Sequence, residues 1–174
     1  MTISQQFHTP LMPPVRGLSP LSVALVADGL LGEENARLAE DIAILGGQRL
    51  ADVLASNYGV APLTIADAFS TLYQTTRVDP CEASPDLALL AEFGPSRSLQ
   101  SGLLPWRKMG GNTVILTDKP DHFDRCVTDL TAQFGPVRMA ITTRDQLETC
   151  VTTLCRDTLV IAAETKTPAA QSSR

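Results

Sequence analysis

The apolar pattern of this chain changes period at one point, and that change restricts the fold more than any other feature. Before the polar, proline-bearing stretch TTRVDPCEASPD at 75–86, apolar residues recur at helical spacing. Beyond it, short β-type apolar runs alternate with amphipathic segments of ten or more residues. Such a chain folds as a helical half followed by a small sheet covered by helices.

In the first half, Leu21, Leu25 and Val26 share a helical face that begins at Pro20, and Asp28-Gly29 closes it. A second helix is expected from Glu33 to about Leu45, with Leu38, Ile42 and Leu45 as its apolar stripe. Glu33-Glu34 suit the positive end of its dipole, and Gly46-Gly47 break it. A third covers Arg49 to Asn57 with Leu50, Val53 and Leu54 on one side. A fourth covers Leu63 to Tyr73 with Ile65, Phe69 and Leu72 buried. The turns Asp28-Gly29-Leu30-Leu31 and Asn57-Tyr58-Gly59-Val60 lie about thirty residues apart, a weak twofold repeat.

In the second half, Leu87–Phe93 reads as a short helix closed by Gly94-Pro95. Leu103–Arg107 and Thr113–Thr117 read as strands around a hairpin turn at Gly110-Gly111. A helix from Asp121 to Phe134, with Phe123, Val127 and Leu130 inward, precedes a strand from Val137 to Thr142. Asp145–Cys155 reads as a further helix, with Leu147, Val151 and Leu154 inward, that can continue through Leu159 to Ala163. The expected class is α+β. A flexible arm (1–19) leads into a helical bundle of two degenerate helix-turn-helix repeats (20–80), then a ββαβα sheet subdomain (81–163) and a tail or linker (164–174).

With 174 residues, 44% of them hydrophobic, the chain can bury a core without staples. Only 5% are aromatic, so that core is expected to be built mainly from Leu, Val, Ile and Ala. A formal charge of −5, with the lysines and arginines scattered, argues against nucleic acid as a partner. No apolar stretch approaches the ~20 residues of a membrane span, and residues 1–17 lack the pattern of a secretory signal. The expected location is the cytoplasm. Cys81, Cys126, Cys150 and Cys155 form no Cys-x-x-Cys pair and read as free thiols. No local pattern supplies zinc ligands.

No phosphate loop, nucleophile elbow or Cys/His motif is present in the sequence. Glu33-Glu34 and Asp118/Asp121/Asp124 are explained as helix-start charge. His122 falls in a first helical turn with no sequence neighbour that argues for catalysis. Trp106 reads as a core anchor beside the hairpin. Arg49 opens a helix directly after a glycine pair and can serve either a solvated helix start or a phosphate ligand. No catalytic residue, metal or cofactor is expected.

The order of elements, with LLPWRKMGGNTVILTDKPDHFDR and FGPVRMAITTRDQLETCV, resembles the N-terminal domain of type II secretion and pilus assembly ATPases. Within that group it is most similar to the copy fused ahead of membrane-embedded family-2 glycosyltransferases of alphaproteobacteria. A subset of the ATPase domains binds cyclic di-GMP through two tandem motifs, in which apolar pairs cover guanine rings and arginine serves the phosphates.

The resemblance places the first motif on Leu21, Leu25, Val26, Gly29, Leu30 and Leu31, with Pro20 where arginine is expected and Ser22 replacing a glycine. Ala36 and Glu40 stand for its leucines and Ala43 for its glutamine. The second motif keeps Arg49, Leu50, Leu54 and Val60, with Ile65 and Phe69 at leucine places. Ala51 and Tyr58 replace its glycines, Ala55 an apolar partner and Leu72 its glutamine.

The resemblance implies a non-catalytic cytosolic regulatory or docking domain that contacts a membrane-associated glycosyltransferase or the secretion and pilus machinery. One alternative is a cyclic di-GMP sensor. Another is the N-terminal fragment of a polysaccharide-making glycosyltransferase whose active part lies beyond these residues.

Overall fold

The computed structural model describes residues 17–164, with side chains through 156. Most of the arm and the tail expected from the sequence therefore lie outside the described residues. The helical half comprises α1 (Pro20–Ala27), α2 (Glu33–Gly46), α3 (Leu50–Tyr58) and α4 (Pro62–Leu72). Local chemistry sets these limits. Ser19 caps α1 by accepting from the Ser22 backbone N–H, and Pro20 occupies the first turn, where no donor is needed. Gly47 and Gly59 end α2 and α3 in the left-handed conformation, at φ of 60° and 65°.

The second half runs α5 (Leu87–Phe93), α6 (Pro95–Ser101), β1 (Leu103–Met109), β2 (Asn112–Thr117), α7 (Pro120–Phe134), β3 (Val137–Ile141) and α8 (Arg144–Glu164). The sheet order is β1-β2-β3. β1 and β2 are antiparallel around Gly110-Gly111, with a register shift at Trp106, and β2 and β3 are parallel. The α+β class expected from the sequence is observed. Helix α6 is an addition: Pro95, read as a terminator, is the first residue of a new helix.

Strand β2 divides the core of this half. Ile115 packs with Phe93, Phe123, Leu130 and Phe134 on the α5/α7 side. Leu116 packs with Trp106, Ala140, Leu147 and Val151 on the α8 side. Alternation along a strand sends neighbouring side chains to opposite faces. Trp106 is buried and donates its indole N–H to the Ala83 carbonyl at 2.6 Å, as a core anchor would.

The helical half has its own cluster, centred on Leu25, Ala36, Ala39, Val53 and Leu54. The buried members of each of the three apolar clusters among the described residues come from one half, and Val78 of the connection packs against the third. The connection is largely polar. After α4 the chain turns at Gln74, whose φ of +50° is unusual for a residue with a Cβ. It then runs parallel to β3, with Val78 donating to the Ile141 carbonyl and Ile141 to the Thr76 carbonyl. Arg77 pairs with Asp67 of α4 at 2.6 Å.

Five side chains sit differently from the periodicity reading. Leu38, Ile42 and Leu45, the apolar stripe of α2, are exposed, while Ala36, Ala39 and Ala43 face the core. Small side chains let α2 lie close to α1 and α3, and contact at that distance wins over the larger residues. Val127 on α7 and Leu72 at the end of α4 are also exposed rather than inward.

Candidate functional site

A cleft of about 720 Å³ lies where the two halves meet. Its walls come from the first residues of α1 and α3, the last of α4 and α6, and the start of α7. The chain reaches this place because glycine or proline ends or starts the elements around it: Pro20 opens α1, Gly47 closes α2 ahead of Arg49, and Pro120 opens α7. Three helix N-termini, each with a partial positive charge, therefore border one space.

Arg49 is the central side chain. Its guanidinium donates to the Asp118 carboxylate at 3.0 Å and to the Asp118 carbonyl at 2.6 Å, and lies 3.5 Å from Asp52. The residue that the sequence offers to a phosphate is thus bound to a carboxylate of the other half. Gly102 permits this. It sits at φ +68°, and a Cβ there would collide with Asp118 Oδ1. On the far side of the Arg49–Asp118 link a second, more apolar hollow of about 370 Å³ runs between α3, α4 and the start of α8.

The other wall adds Lys119, His122 and Arg125 from the start of α7. Burial and the nearby Arg125 and Lys119 charges push the His122 imidazole down, with Asp118 opposing them. Tyr73 donates to Asp121 at 2.8 Å. Burial, that hydrogen bond and the Asp121 charge push the Tyr73 phenol up to about 12. His122 Nε2 also lies 3.6 Å from Cys126 Sγ, one helical turn along α7. Among the described residues no third group orients this pair, so the arrangement lacks the relay that activates a nucleophile. No group of three or more His, Cys, Asp or Glu among them could hold a metal ion.

Of the residues singled out in the sequence, Leu21, Arg49 and Leu50 border the cleft. Leu25, Leu31 and Leu54 are buried in the helical core, and Val26 packs against it. Gly29 lies in the turn after α1 at φ +69°, and Leu30 is 51% exposed there. These nine do not form one surface. Ser22 and Glu40, two departures from the motif, prove to be neighbours. Burial of Glu40 pushes its carboxyl up, but hydrogen bonds from Ser22 and Ser19 outweigh this and hold it below the usual value. The Ser19 backbone N–H donates to Glu40 at 2.7 Å. Sequence reasoning missed Lys119 and Arg125, whose only local signal was the Lys-Pro start of α7, and weighed His122 for catalysis alone.

No protein-family model matches the sequence, and no curated protein matches it at a significant level. Among solved structures, that of MshE with cdg (cyclic di-GMP) aligns at TM-score 0.65 and 19% identity, over 76% of this chain and 96% of that one. The chain has the MshE fold. The fold expected from the secretion-ATPase resemblance is therefore present. The N-terminal domain of XpsE aligns at TM-score 0.48 and 16% identity, over 81% of this chain and 98% of that one. On the MshE-like scaffold, the polar link between Arg49 and Asp118 joins the helical half to the sheet half.

Proposed function

We propose that this chain is a non-catalytic regulatory domain that docks onto a partner protein through the outer face of α2. The observation that carries this reading is the outward stripe of Leu38, Ile42 and Leu45, with Leu45 87% exposed. A monomer gains nothing from three aligned large apolar side chains in water. Covering what remains exposed offers on the order of 3–5 kcal/mol before the costs of association. The partner class suggested by the resemblance is a component of secretion or pilus machinery or a membrane-associated glycosyltransferase, which would bring a cytoplasmic domain to the membrane.

A photo-crosslinking residue at Ile42, introduced in the native cell, tests this reading. It is expected to capture one identified component of such a system, and Leu45→Asp is expected to abolish the capture. Equal capture from a control site on α7 would remove the α2 face from consideration.

A second reading, cyclic di-GMP sensing, is favoured by the cleft, which brings Leu21, Arg49 and Leu50 together with Lys119 and Arg125, and by the ligand of the MshE structure. Against it, Arg49 already holds Asp118 and would have to exchange partners. Calorimetry with cyclic di-GMP decides the matter. Saturable heat that disappears in Arg49→Ala supports sensing, and no heat at high micromolar ligand retires it.

A further inference from the structure

The charge around the α2 stripe is one-sided. From residue 17 to 48 the chain carries five carboxylates, Asp28, Glu33, Glu34, Glu40 and Asp41, and a single cation, Arg37. That cation is bound to Glu33 at 2.6 Å. Glu40 is occupied by Ser19. Glu34 and Asp41 are exposed and, at 100° per residue, lie along one edge of the Leu38–Ile42–Leu45 stripe. No lysine or arginine follows on α2 after Arg37.

From this charge pattern we infer that the α2 face receives an amphipathic helix with an apolar stripe and lysine or arginine flanks. This rests on the docking reading and adds the chemistry of the partner. Two other occupants are disfavoured by the same charges. A second copy of the chain would oppose acidic edge to acidic edge, and like charges across an interface suppress association. An anionic membrane surface would repel the acidic edge that borders the apolar stripe. A basic helix gains on both counts: its apolar stripe covers Leu38, Ile42 and Leu45, and its flanks meet Glu34 and Asp41. An apolar helix face laid against an apolar surface is a common recognition mode. The 14 residues of α2 offer about 21 Å of length, enough for roughly four turns of a partner helix.

The test uses the full chain and two synthetic helical peptides with the same leucine stripe, one flanked by lysines and one by glutamates. The lysine peptide is expected to bind at least ~10-fold more tightly, and the preference should shrink as salt rises. Leu45→Ser should weaken it ~10-fold. Glu34→Gln with Asp41→Asn should erase most of the difference between peptides while circular dichroism stays unchanged. Equal binding of both peptides, or of neither, overturns the inference. So does binding to phosphatidylglycerol vesicles, or self-association by sedimentation that Leu45→Ser abolishes. If the crosslinker at Ile42 still captures its partner while the peptides show no preference, the partner chemistry fails and the docking reading stands. If the lysine peptide is preferred and the crosslinker captures nothing, the docking reading fails by itself.

Discussion

Arg49 and Asp118 join the two halves of the molecule across 69 residues of sequence, with a guanidinium-to-carboxylate distance of 3.0 Å. The Asp118 side chain is 9% exposed and that of Arg49 33%. Asp118 therefore depends on this partner more than Arg49 does, since a nearly buried carboxylate has little water to replace it. Beside this link, the Tyr73–Asp121 hydrogen bond and the backbone pairing of Thr76 and Val78 with Ile141 also join the halves.

Arg49→Ala is expected to destabilise the chain by about 1–2 kcal/mol in urea denaturation, the partial exposure of the arginine keeping the loss modest. A double-mutant cycle with Asp118→Ala should return a coupling of at least ~0.5 kcal/mol. A coupling indistinguishable from zero would show that the halves are held by other contacts.

Gly102→Ala should cost about 1–3 kcal/mol, because the new methyl group meets Asp118 at a backbone φ of +68°. In an Asp118→Ala background the collision disappears, and only the left-handed backbone cost of ~1–2 kcal/mol should remain. The same penalty in both backgrounds would mean that Asp118 moves aside freely.

Leucines of the helical half should separate into two classes. Leu54→Ala empties a fully buried site and should cost about 2–5 kcal/mol. Leu45→Ser changes an exposed side chain and should shift stability by less than ~0.5 kcal/mol. Denaturant midpoints check both. A large loss at Leu45 would place it in a core, against the docking face.

Acid should destabilise the chain through two named groups. His122 is held below its ordinary 6.5 and Glu40 below its ordinary 4.5. Each contributes stability that is present above the unfolded value and lost as pH falls through the lowered folded one. Thermal melts between pH 8 and 3 should therefore show a shallower acid limb in His122→Gln near pH 6 and in Glu40→Gln near pH 4. Tyr73 has the opposite sign. Its rise from 10 to about 12 gives stability that is complete below pH 10 and lost as pH climbs toward 12. Tyr73→Phe should flatten that alkaline limb, and parallel curves for variant and parent would count against the Tyr73–Asp121 bond.

Much of the architecture was legible because its signals are local. Gly47 and Gly59, in the left-handed conformation, and the hairpin at Gly110-Gly111 follow from what a glycine backbone permits. Pro95 was ambiguous for an equally local reason: proline ends one helix and begins the next with the same φ. The cleft was only half legible. Leu21, Arg49 and Leu50 stand in the motif region, but Lys119, His122 and Arg125 come from a segment some seventy residues further on. Nothing in local spacing joins the two.

By itself, the sequence determined the class of fold, the succession of elements apart from α6 and the absence of familiar catalytic motifs, because periodicity, caps and turn residues act within a few positions. Tertiary structure alone decided which stripe of α2 turns inward and what Arg49 binds. Both outcomes depend on how closely two elements approach, and that distance is set by all the side chains between them. Alanines let α2 pack tightly and left Leu38, Ile42 and Leu45 outside. Asp118 reached Arg49 because Gly102 left room for it.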